Sequence, residues 1–324
     1  MKLSIVGTGK IAEEVMRMLH DEFAGRIEVT GIFAREHSVE HAIDLCQAFA
    51  PTGFVYTDYQ RMLQEAEADY VYIANANHVH HEYAMHAMMA GKHVIIEKPV
   101  AVNRVQTEEL IDTAIQQCVY CLPAFSLLYM PLFRRLQEVL PMIGKVRMIH
   151  CNFAQRSSRY DRYLKGELTP VFDPNMAGGT LADLNIYNLC FAIALFGPPR
   201  SIRYDCNRGF NGIDTSGTLL CHYPDSLAVL SASKDSDGLS YACIQGEDGY
   251  IEIHGPVSIL ESFTLHLAGK EPVIYRSEGN RHRLSYEFSE FLSLIENKQE
   301  CHIILPYVIR IMQEIAIAQE RMVQ

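Results

Sequence analysis

The sequence contains no stretch of about 18 uncharged apolar residues, the length that a membrane-spanning helix requires. It shows no secretory signal either, because its first apolar run is short and Lys10, Glu13 and Glu14 follow. Positive charge is scarce: 28 Lys and Arg stand against 39 Asp and Glu, and this net charge of -11 argues against a nucleic-acid partner. We therefore expect a cytoplasmic protein that binds neither membrane nor nucleic acid.

A disulfide framework and a metal site are also not indicated. The nine cysteines are odd in number and scattered, as expected for reduced thiols of a cytosolic protein. Cys118 and Cys121 form one C-x-x-C without a second pair, so a zinc or redox role is not predicted. His78, His80 and His81 stand close together, but a metal site needs ligands that converge from several directions with further support. We predict no metal.

The chain begins with a strand, a glycine-rich turn and a helix. The apolar run at 2–6 leads into Gly7-Thr8-Gly9-Lys10-Ile11-Ala12, which has the form G-x-G-x-x-A. Gly7 permits a tight turn, Gly9 lets a pyrophosphate approach the backbone, and Ala12 lets the helix pack on the strand. The helix N-terminus offers free N–H groups to phosphates. These six residues are predicted to bind a dinucleotide, with an ordinary glycine turn as the alternative.

A second informative stretch is GKHVIIEKPV at 91–100. Its apolar run Val94-Ile95-Ile96 is typical of a buried strand in a parallel sheet, and Glu97-Lys98-Pro99 follow directly. A lysine at the end of such a strand points into the crevice where open α/β sheets bind ligands. Pro99 makes the chain rigid at this point. We predict that Lys98 lies at the mouth of the active site.

The pattern of elements predicts two domains, which suits a chain of 324 residues. Strands and helices alternate in the first part, as in a doubly wound parallel sheet. Consecutive strands without intervening helices then indicate an antiparallel sheet. The predicted fold is α/β: a Rossmann-type dinucleotide-binding domain at 1–121, followed by an α+β substrate-binding and oligomerisation domain at 122–324 with a large, mostly antiparallel open sheet. The predicted strands of the first part are 2–6, 27–33, 70–74, 93–97 and 119–125; its predicted helices are 10–23, 38–49, 59–66, 80–90 and 104–117. In the second part we predict helices at 131–140, 180–196, 286–297 and 303–322, a strand at 146–154, and a hairpin turn at 246–249.

Four segments together resemble the Gfo/Idh/MocA family of nicotinamide-dependent oxidoreductases. They are GTGKIA, Asn77-His78-Val79-His80, GKHVIIEKP and GGTLADLNIY at 178–187, in the family's order and over nearly the whole chain. The resemblance implies hydride transfer between NAD(P) and a small hydroxyl or carbonyl substrate such as a sugar, polyol or diol. It also implies a homodimer or a larger homo-oligomer. The family's segment T-P-N-x-x-H lines the cofactor cleft, so Asn75, Asn77 and His80 are expected there, with Glu97 and Lys98; Asn75-Ala76 replaces Thr-Pro. His80 is alternatively expected to cap the helix that follows it.

The end of the second strand bears on the choice between NAD and NADP. An Asp or Glu at this point accepts hydrogen bonds from the ribose hydroxyls of NAD. Here Ala34 occupies the position and Arg35 follows, and an arginine can pair with a 2′-phosphate. NADP is therefore predicted. NAD remains the alternative because Glu36 supplies a carboxylate after a shift of two residues, and because Arg35 is alternatively a solvated surface charge.

Oxidation of an alcohol by nicotinamide also requires removal of the hydroxyl proton. Many family members place a His for this purpose in a pattern close to D-x-G-x-H, where this chain reads Asp183-Leu184-Asn185-Ile186-Tyr187. Tyr also stands there in the glucose-fructose oxidoreductase and dihydrodiol dehydrogenase branches. Asp183 and Tyr187 are spaced i and i+4 on one helix face, and Thr180 with Asp183 can form a capping pair. The resemblance places Lys98 nearby, where it favours the phenolate. Lys98, Tyr187 and Asp183 are the predicted catalytic residues, with a structural Tyr187 as the alternative.

Three departures from the family pattern concern the expected substrate pocket. Asn185 replaces a Gly, so a side chain is expected to enter a part of the pocket that is normally left open. Cys190 stands where many sugar-acting members carry a second acid and Leu128 takes the position of an Arg, so the pocket is expected to be less polar. The family's His, Gly and Arg are replaced by Tyr187, Asn185 and Leu128, and this leaves a non-catalytic dinucleotide-binding sensor open as the alternative function. A loop of the second domain either lines the pocket or is solvated: Arg156, Arg159, Tyr160, Arg162 and Tyr163.

Overall fold

The computed structural model describes residues 1–277, 279 and 281–297. The described chain forms two compact units, one of residues 1–124 with 284–297 and one of Phe125–Arg283. The segment 284–297 thus belongs with the first unit, whereas the sequence-based division places it in the second domain. Its helix α9, Ser285–Glu296, packs Phe288 against Phe23 and Tyr72. The predicted helix at 303–322 lies outside the described residues.

The first unit alternates strands and helices, as predicted. Its strands are β1 Lys2–Val6, β2 Glu28–Phe33, β3 Phe54–Tyr56, β4 Tyr70–Ile73, β5 His93–Glu97 and β6 Cys121–Ala124. Its helices, besides α9, are α1 Lys10–Glu22, α2 Val39–Phe49, α3 Tyr59–Glu65, α4 His80–Met89 and α5 Arg104–Gln117.

The six strands form one parallel sheet in the order β3-β2-β1-β4-β5-β6. Its central strands are buried because their apolar runs face helices on both sides, which is the arrangement that parallel sheets require. This confirms the predicted doubly wound sheet. The edge strand β3 was not predicted, since it has only three residues and Phe54 is 67% exposed.

The second unit is built on an eight-stranded sheet in the order β14-β13-β12-β11-β7-β10-β9-β8. Only the β7–β10 pair is parallel among these neighbours, so the prediction of a mostly antiparallel sheet is confirmed. The predicted hairpin turn joins β11 to β12. The strands are β7 Val146–Ala154, β8 Ser201–Arg208, β9 Asp214–His222, β10 Leu227–Ser233, β11 Tyr241–Gly246, β12 Gly249–His254, β13 Ser262–Leu267 and β14 Val273–Arg276. The helices are α6 Pro131–Val139, α7 Tyr160–Leu164 and α8 Ile186–Phe196.

One face of this sheet carries the core of the unit. Burial alternates along β10, where Ala228, Leu230 and Ala232 are buried between half-buried neighbours. Helix α8 packs on this strand and on β7.

Within the described residues, the helical stretch Pro174–Phe196 is long and apolar enough to cross a membrane, with a mean hydropathy of 1.4. It is 61% buried, as a core helix is.

Candidate active site

The candidate residues of the first unit lie beyond the carboxyl ends of its parallel strands. Strands β1, β4 and β5 are neighbours and parallel, so the segments that follow them lie side by side. The strand order reverses between β1 and β4, and at such a point open α/β sheets bind ligands beyond the carboxyl ends of the strands. The glycine turn follows β1, Asn75 and Asn77 follow β4, and Lys98 follows β5.

The glycine turn has the geometry that the motif predicts. Gly7 adopts φ +112°, and a Cβ added there would lie 2.7 Å from the carbonyl oxygen of Ala74. A Cβ on Gly9 would meet no atom within 4 Å, so the backbone there faces open space at the N-terminus of α1. Ala12 is fully buried against the sheet. The turn thus leaves room for a phosphate at the helix N-terminus. Of its other members, Thr8 and Ile11 are half-buried and Lys10 is exposed.

The end of β2 presents an arginine to solvent. Ala34 is buried, and its N–H donates to the Tyr56 carbonyl at 2.9 Å. The Arg35 carbonyl accepts from the N–H and the hydroxyl of Ser38, at 2.8 and 3.0 Å, which fixes the backbone of the turn. The Arg35 side chain is exposed, and no carboxylate of the described residues pairs with its guanidinium. Glu36 is exposed as well.

His80 connects the segment after β4 to the segment after β5. Its Nδ1 lies 2.8 Å from the Pro99 carbonyl oxygen, and its Nε2 lies 3.1 Å from that of Asn75. The ring is buried, and burial together with the charge of Lys98 lowers the pKa of His80, against the opposing effect of the two carbonyls. Because both ring nitrogens contact backbone, His80 holds these segments together. The expectation that it caps α4 is wrong, since its ring nitrogens contact the Asn75 and Pro99 carbonyl oxygens, which lie outside that helix.

The EKP segment combines a buried acid with a half-buried lysine. The Glu97 carboxylate accepts from the Tyr72 hydroxyl at 2.5 Å and from the Lys98 N–H at 3.2 Å. The Lys98 side chain is half-buried, and the Lys98–Pro99 peptide bond is cis. Glu97 thereby anchors the backbone that carries Lys98.

In the second unit, the helix that carries Asp183 and Tyr187 begins irregularly. A π-helical turn at Leu181–Asn185 precedes α8, a feature that often marks functional sites. The predicted capping pair of Thr180 with Asp183 is wrong. Asp214 on β9 caps the segment instead, accepting from the Leu181 N–H and the Tyr204 hydroxyl, each at 2.7 Å.

The sequence analysis did not identify the partner of Asp183. Lys234, directly after β10, donates from Nζ to Asp183 Oδ2. Tyr187 packs on the apolar cluster of Phe153, Leu184 and Ala232. Its ring centroid lies 6.3 Å from that of Phe153. A carboxylate with a buried ammonium partner therefore stands on the same helical segment as a phenol beside an aromatic ring.

Two of the three departures from the family pattern are buried in the core. Asn185 was expected to enter the pocket, but it is fully buried and its amide donates to the Leu230 carbonyl of β10 at 2.9 Å. Asn188 in turn donates to the Asn185 side-chain oxygen at 2.9 Å. Cys190 is fully buried, and burial raises the pKa of its thiol. Leu128 is half-buried.

The basic and aromatic loop divides between surface and core. Arg156 pairs with Asp161 at 2.6 Å, and Arg162 pairs with Glu167. These arginines are exposed, as is Arg159, while Tyr160 is half-buried. Tyr163 is buried, and its hydroxyl donates to Asn211 at 2.7 Å. Arg156 and Arg162 are thus each paired with an acid of the same loop.

No group of three His, Cys, Asp or Glu side chains in the described part of the chain is arranged to hold a metal ion. His80 is committed to backbone carbonyls, as described above. Of the C-x-x-C pair, Cys118 is exposed at the end of α5 and Cys121 is buried in β6. Both are free thiols.

The fold and the geometry at the carboxyl ends of the strands define a dinucleotide-binding protein of the Rossmann type, and comparison with known proteins specifies the family. Residues 1–125 match the oxidoreductase family with an NAD-binding Rossmann fold, and residues 133–255 match the Gfo/Idh/MocA C-terminal domain. The chain belongs to the Gfo/Idh/MocA family of oxidoreductases. This confirms the predicted family and the predicted function as an NAD(P)-dependent oxidoreductase.

Relatives of known activity span most of the chain. The scyllo-inositol 2-dehydrogenase (NADP(+)) IolU of Bacillus subtilis is 32% identical over 93% of this chain and 90% of its own. The trans-1,2-dihydrobenzene-1,2-diol dehydrogenase of Xenopus tropicalis is 26% identical over 83% and 79%. Among solved structures, a 3-ketoreductase from Actinomadura kijaniata with NADP and TDP-benzene matches with a TM-score of 0.84. It is 18% identical and covers 98% of this chain and 95% of its own, so it shares the fold.

Proposed function

We propose that this protein is an NADP-dependent dehydrogenase that oxidises one secondary hydroxyl of a cyclic polyol, with NAD as a weaker cofactor. The observation that carries the proposal is the arrangement of the glycine turn, Asn75, Asn77 and Lys98 along one edge of the parallel sheet. That edge is where sheets of this order bind dinucleotides. When bound, the nicotinamide supplies the hydride acceptor.

The preference for NADP rests on Ala34 and Arg35. A buried alanine places no carboxylate against a 2′-phosphate, and the exposed Arg35 guanidinium has no acidic partner in the described chain. A guanidinium binds phosphate oxygens in a bidentate manner. The NADP dependence of the Bacillus subtilis relative supports the same choice.

We assign the proton-transfer step to Lys98 and Tyr187. Asp183 is assigned to accept a hydrogen bond from a hydroxyl of the substrate. Tyr187 takes the proton from the reacting hydroxyl as the hydride leaves carbon. Lys98 is assigned the role of the cation that favours the phenolate needed for this step. His80 and Glu97 hold the backbone on either side of Lys98.

The substrate class is assigned from the relatives and from the surroundings of Tyr187. The 32% identity to a scyllo-inositol dehydrogenase over most of the chain favours a cyclic polyol. The aromatic contacts of Tyr187 with Phe125 and Phe153 favour a ring with an apolar face. A trans-dihydrodiol of benzene is therefore the second candidate, as for the Xenopus relative.

The remaining assignments concern domains and assembly. Residues 1–121 are assigned to cofactor binding, and the second unit, Phe125–Arg283, is assigned to binding of the substrate and of other subunits. The face of the large sheet opposite α8 is half-buried and mixes Met148, Leu220 and Val229 with polar residues, which supports pairing of two copies. The eight cysteines in the described part of the chain are free thiols, which supports the cytoplasm as the compartment.

The experiment is a turnover assay with purified protein, NADP or NAD, and a panel of scyllo-inositol, myo-inositol, glucose and the trans-dihydrodiol of benzene. We expect reduced nicotinamide to form with a cyclic polyol and NADP, more slowly with NAD. Cofactor binding without turnover of any compound would contradict the proposal and favour a sensor.

A further inference from the structure

A buried lysine of the second unit, Lys234, contacts a residue of the proposed site from inside the core. Its Nζ donates to Asp183 Oδ2. The Lys234 side chain is 6% exposed, whereas that of Asp183 is 30% exposed. The cation of the pair is thus enclosed, and the anion reaches the surface of the unit.

The backbone around Lys234 is held from two sides. The Lys234 N–H donates to the Thr215 carbonyl, and the Lys234 carbonyl accepts from the Ser157 N–H, both at 2.8 Å. The neighbouring Asp235 carboxylate accepts from the hydroxyls of Thr215 and Ser216, again at 2.8 Å. These bonds fix the backbone position from which the Lys234 side chain extends to Asp183.

Burial of an ammonium is costly unless a carboxylate pairs with it. The Asp183 carboxylate offsets this cost for Lys234. In this pair the carboxylate is the open member, and it stands four residues before Tyr187 on a π-helical turn. A carboxylate that is kept ionised and fixed in direction can accept a hydrogen bond from a substrate hydroxyl.

We propose that Lys234 is a positioning residue: it fixes the direction of the Asp183 carboxylate so that Asp183 binds a hydroxyl of the substrate. This inference rests on the proposed function. Lys234 itself is too enclosed to contact the substrate. Lys234 therefore affects the affinity of the protein for the hydroxyl compound and not its affinity for the cofactor.

The test compares Lys234→Met with Lys234→Arg, and with Lys270→Met as a matched control at an exposed turn. With NADP and the polyol that the wild type oxidises, we expect Lys234→Met to raise the KM for the polyol about 10- to 100-fold, with kcat and cofactor affinity changed about twofold or less. Lys234→Arg, which keeps the charge, is expected to recover most of the loss. Lys270→Met is expected to match the wild type.

The double variant Asp183→Asn with Lys234→Met removes both charges and guards against a folding defect from one unpaired charge. Its KM should be scarcely higher than that of Asp183→Asn alone, because the two residues act as one unit. A KM for the polyol that stays unchanged in Lys234→Met, with kcat reduced in proportion to inactive protein, would show a structural lysine and overturn the inference. Multiplying effects in the double variant would overturn it too. A wild type that binds NADP but turns over no compound would overturn the proposed function and this inference together.

Discussion

Replacement of Arg35 by alanine should lower the preference of the protein for NADP over NAD. The Arg35 guanidinium is exposed and has no carboxylate partner among the described residues, so its removal breaks no internal ion pair. A charge-assisted contact with a 2′-phosphate contributes about 1–3 kcal/mol. NADP should therefore bind roughly 5- to 150-fold more weakly, while NAD, which lacks this phosphate, should bind nearly as before.

Isothermal titration calorimetry with NADP and with NAD measures the affinity of the wild type and of Arg35→Ala for each cofactor. The chain has no tryptophan, so intrinsic tryptophan fluorescence offers no signal. Low salt is preferable because an exposed charge pair is screened by ions. Arg17→Ala is the matched control: it removes another exposed arginine of the same unit, one that pairs with Glu13 at 2.8 Å. An equal loss of affinity for both cofactors in Arg35→Ala would refute the reasoning.

Three further predictions concern the catalytic pair, the glycine turn and His80. Tyr187→Phe should lower turnover about 10²- to 10⁴-fold with little change in cofactor affinity, and Lys98→Met should also lower it; in steady-state kinetics the double variant should be scarcely worse than the poorer single one. Gly7→Ala places a residue with a side chain at φ +112° and directs the new Cβ at the Ala74 carbonyl oxygen. The free energy of unfolding, measured by denaturant titration, should therefore fall by about 1–3 kcal/mol. An unchanged value would contradict the turn geometry. Burial lowers the pKa of His80 below its ordinary value of 6.5, so its contribution to stability is complete above that pH and is lost as the pH falls towards the lower folded value. Between about pH 7.5 and about pH 5.5 the Tm of His80→Asn should therefore fall less than that of the wild type, and parallel curves would show that His80 does not titrate in this way.

Much of the first unit can be predicted from the sequence because its signals are local. Strands β1, β4 and β5 are short apolar runs followed by the glycine turn, the Asn75 segment and the EKP segment, so their predicted starts and ends lie close to the observed ones. The strand Phe54–Tyr56 escapes this reasoning because three residues show no period, and its partner strand lies more than twenty residues away. The glycine turn, Arg35 and Lys98 are predictable for the same local reason.

The contacts that hold Asp183 and its helical segment in the second unit join residues far apart in the chain, and the sequence analysis did not predict them. Asp183 and Lys234 are 51 residues apart in the chain, and Lys234 follows an ordinary alternating strand. Asp214 caps Leu181 across 33 residues, which displaced the expected local cap by Thr180. Asn185 was interpreted as a pocket residue because its bonds to β10 depend on which face of the helix meets the sheet. Such pairings follow from tertiary packing and have no signature in a single sequence.

The central claim is direct hydride transfer between a substrate carbon and the nicotinamide. The most direct measurement uses NADP with scyllo-inositol that carries deuterium at every ring carbon, followed by mass spectrometry of the reduced cofactor. The account predicts one deuterium in the NADPH formed by the wild type, a slower rate than with the unlabelled polyol, and far less product from Tyr187→Phe. NADPH without the label, or no NADPH from the labelled or unlabelled polyol while NADP still binds, would contradict it.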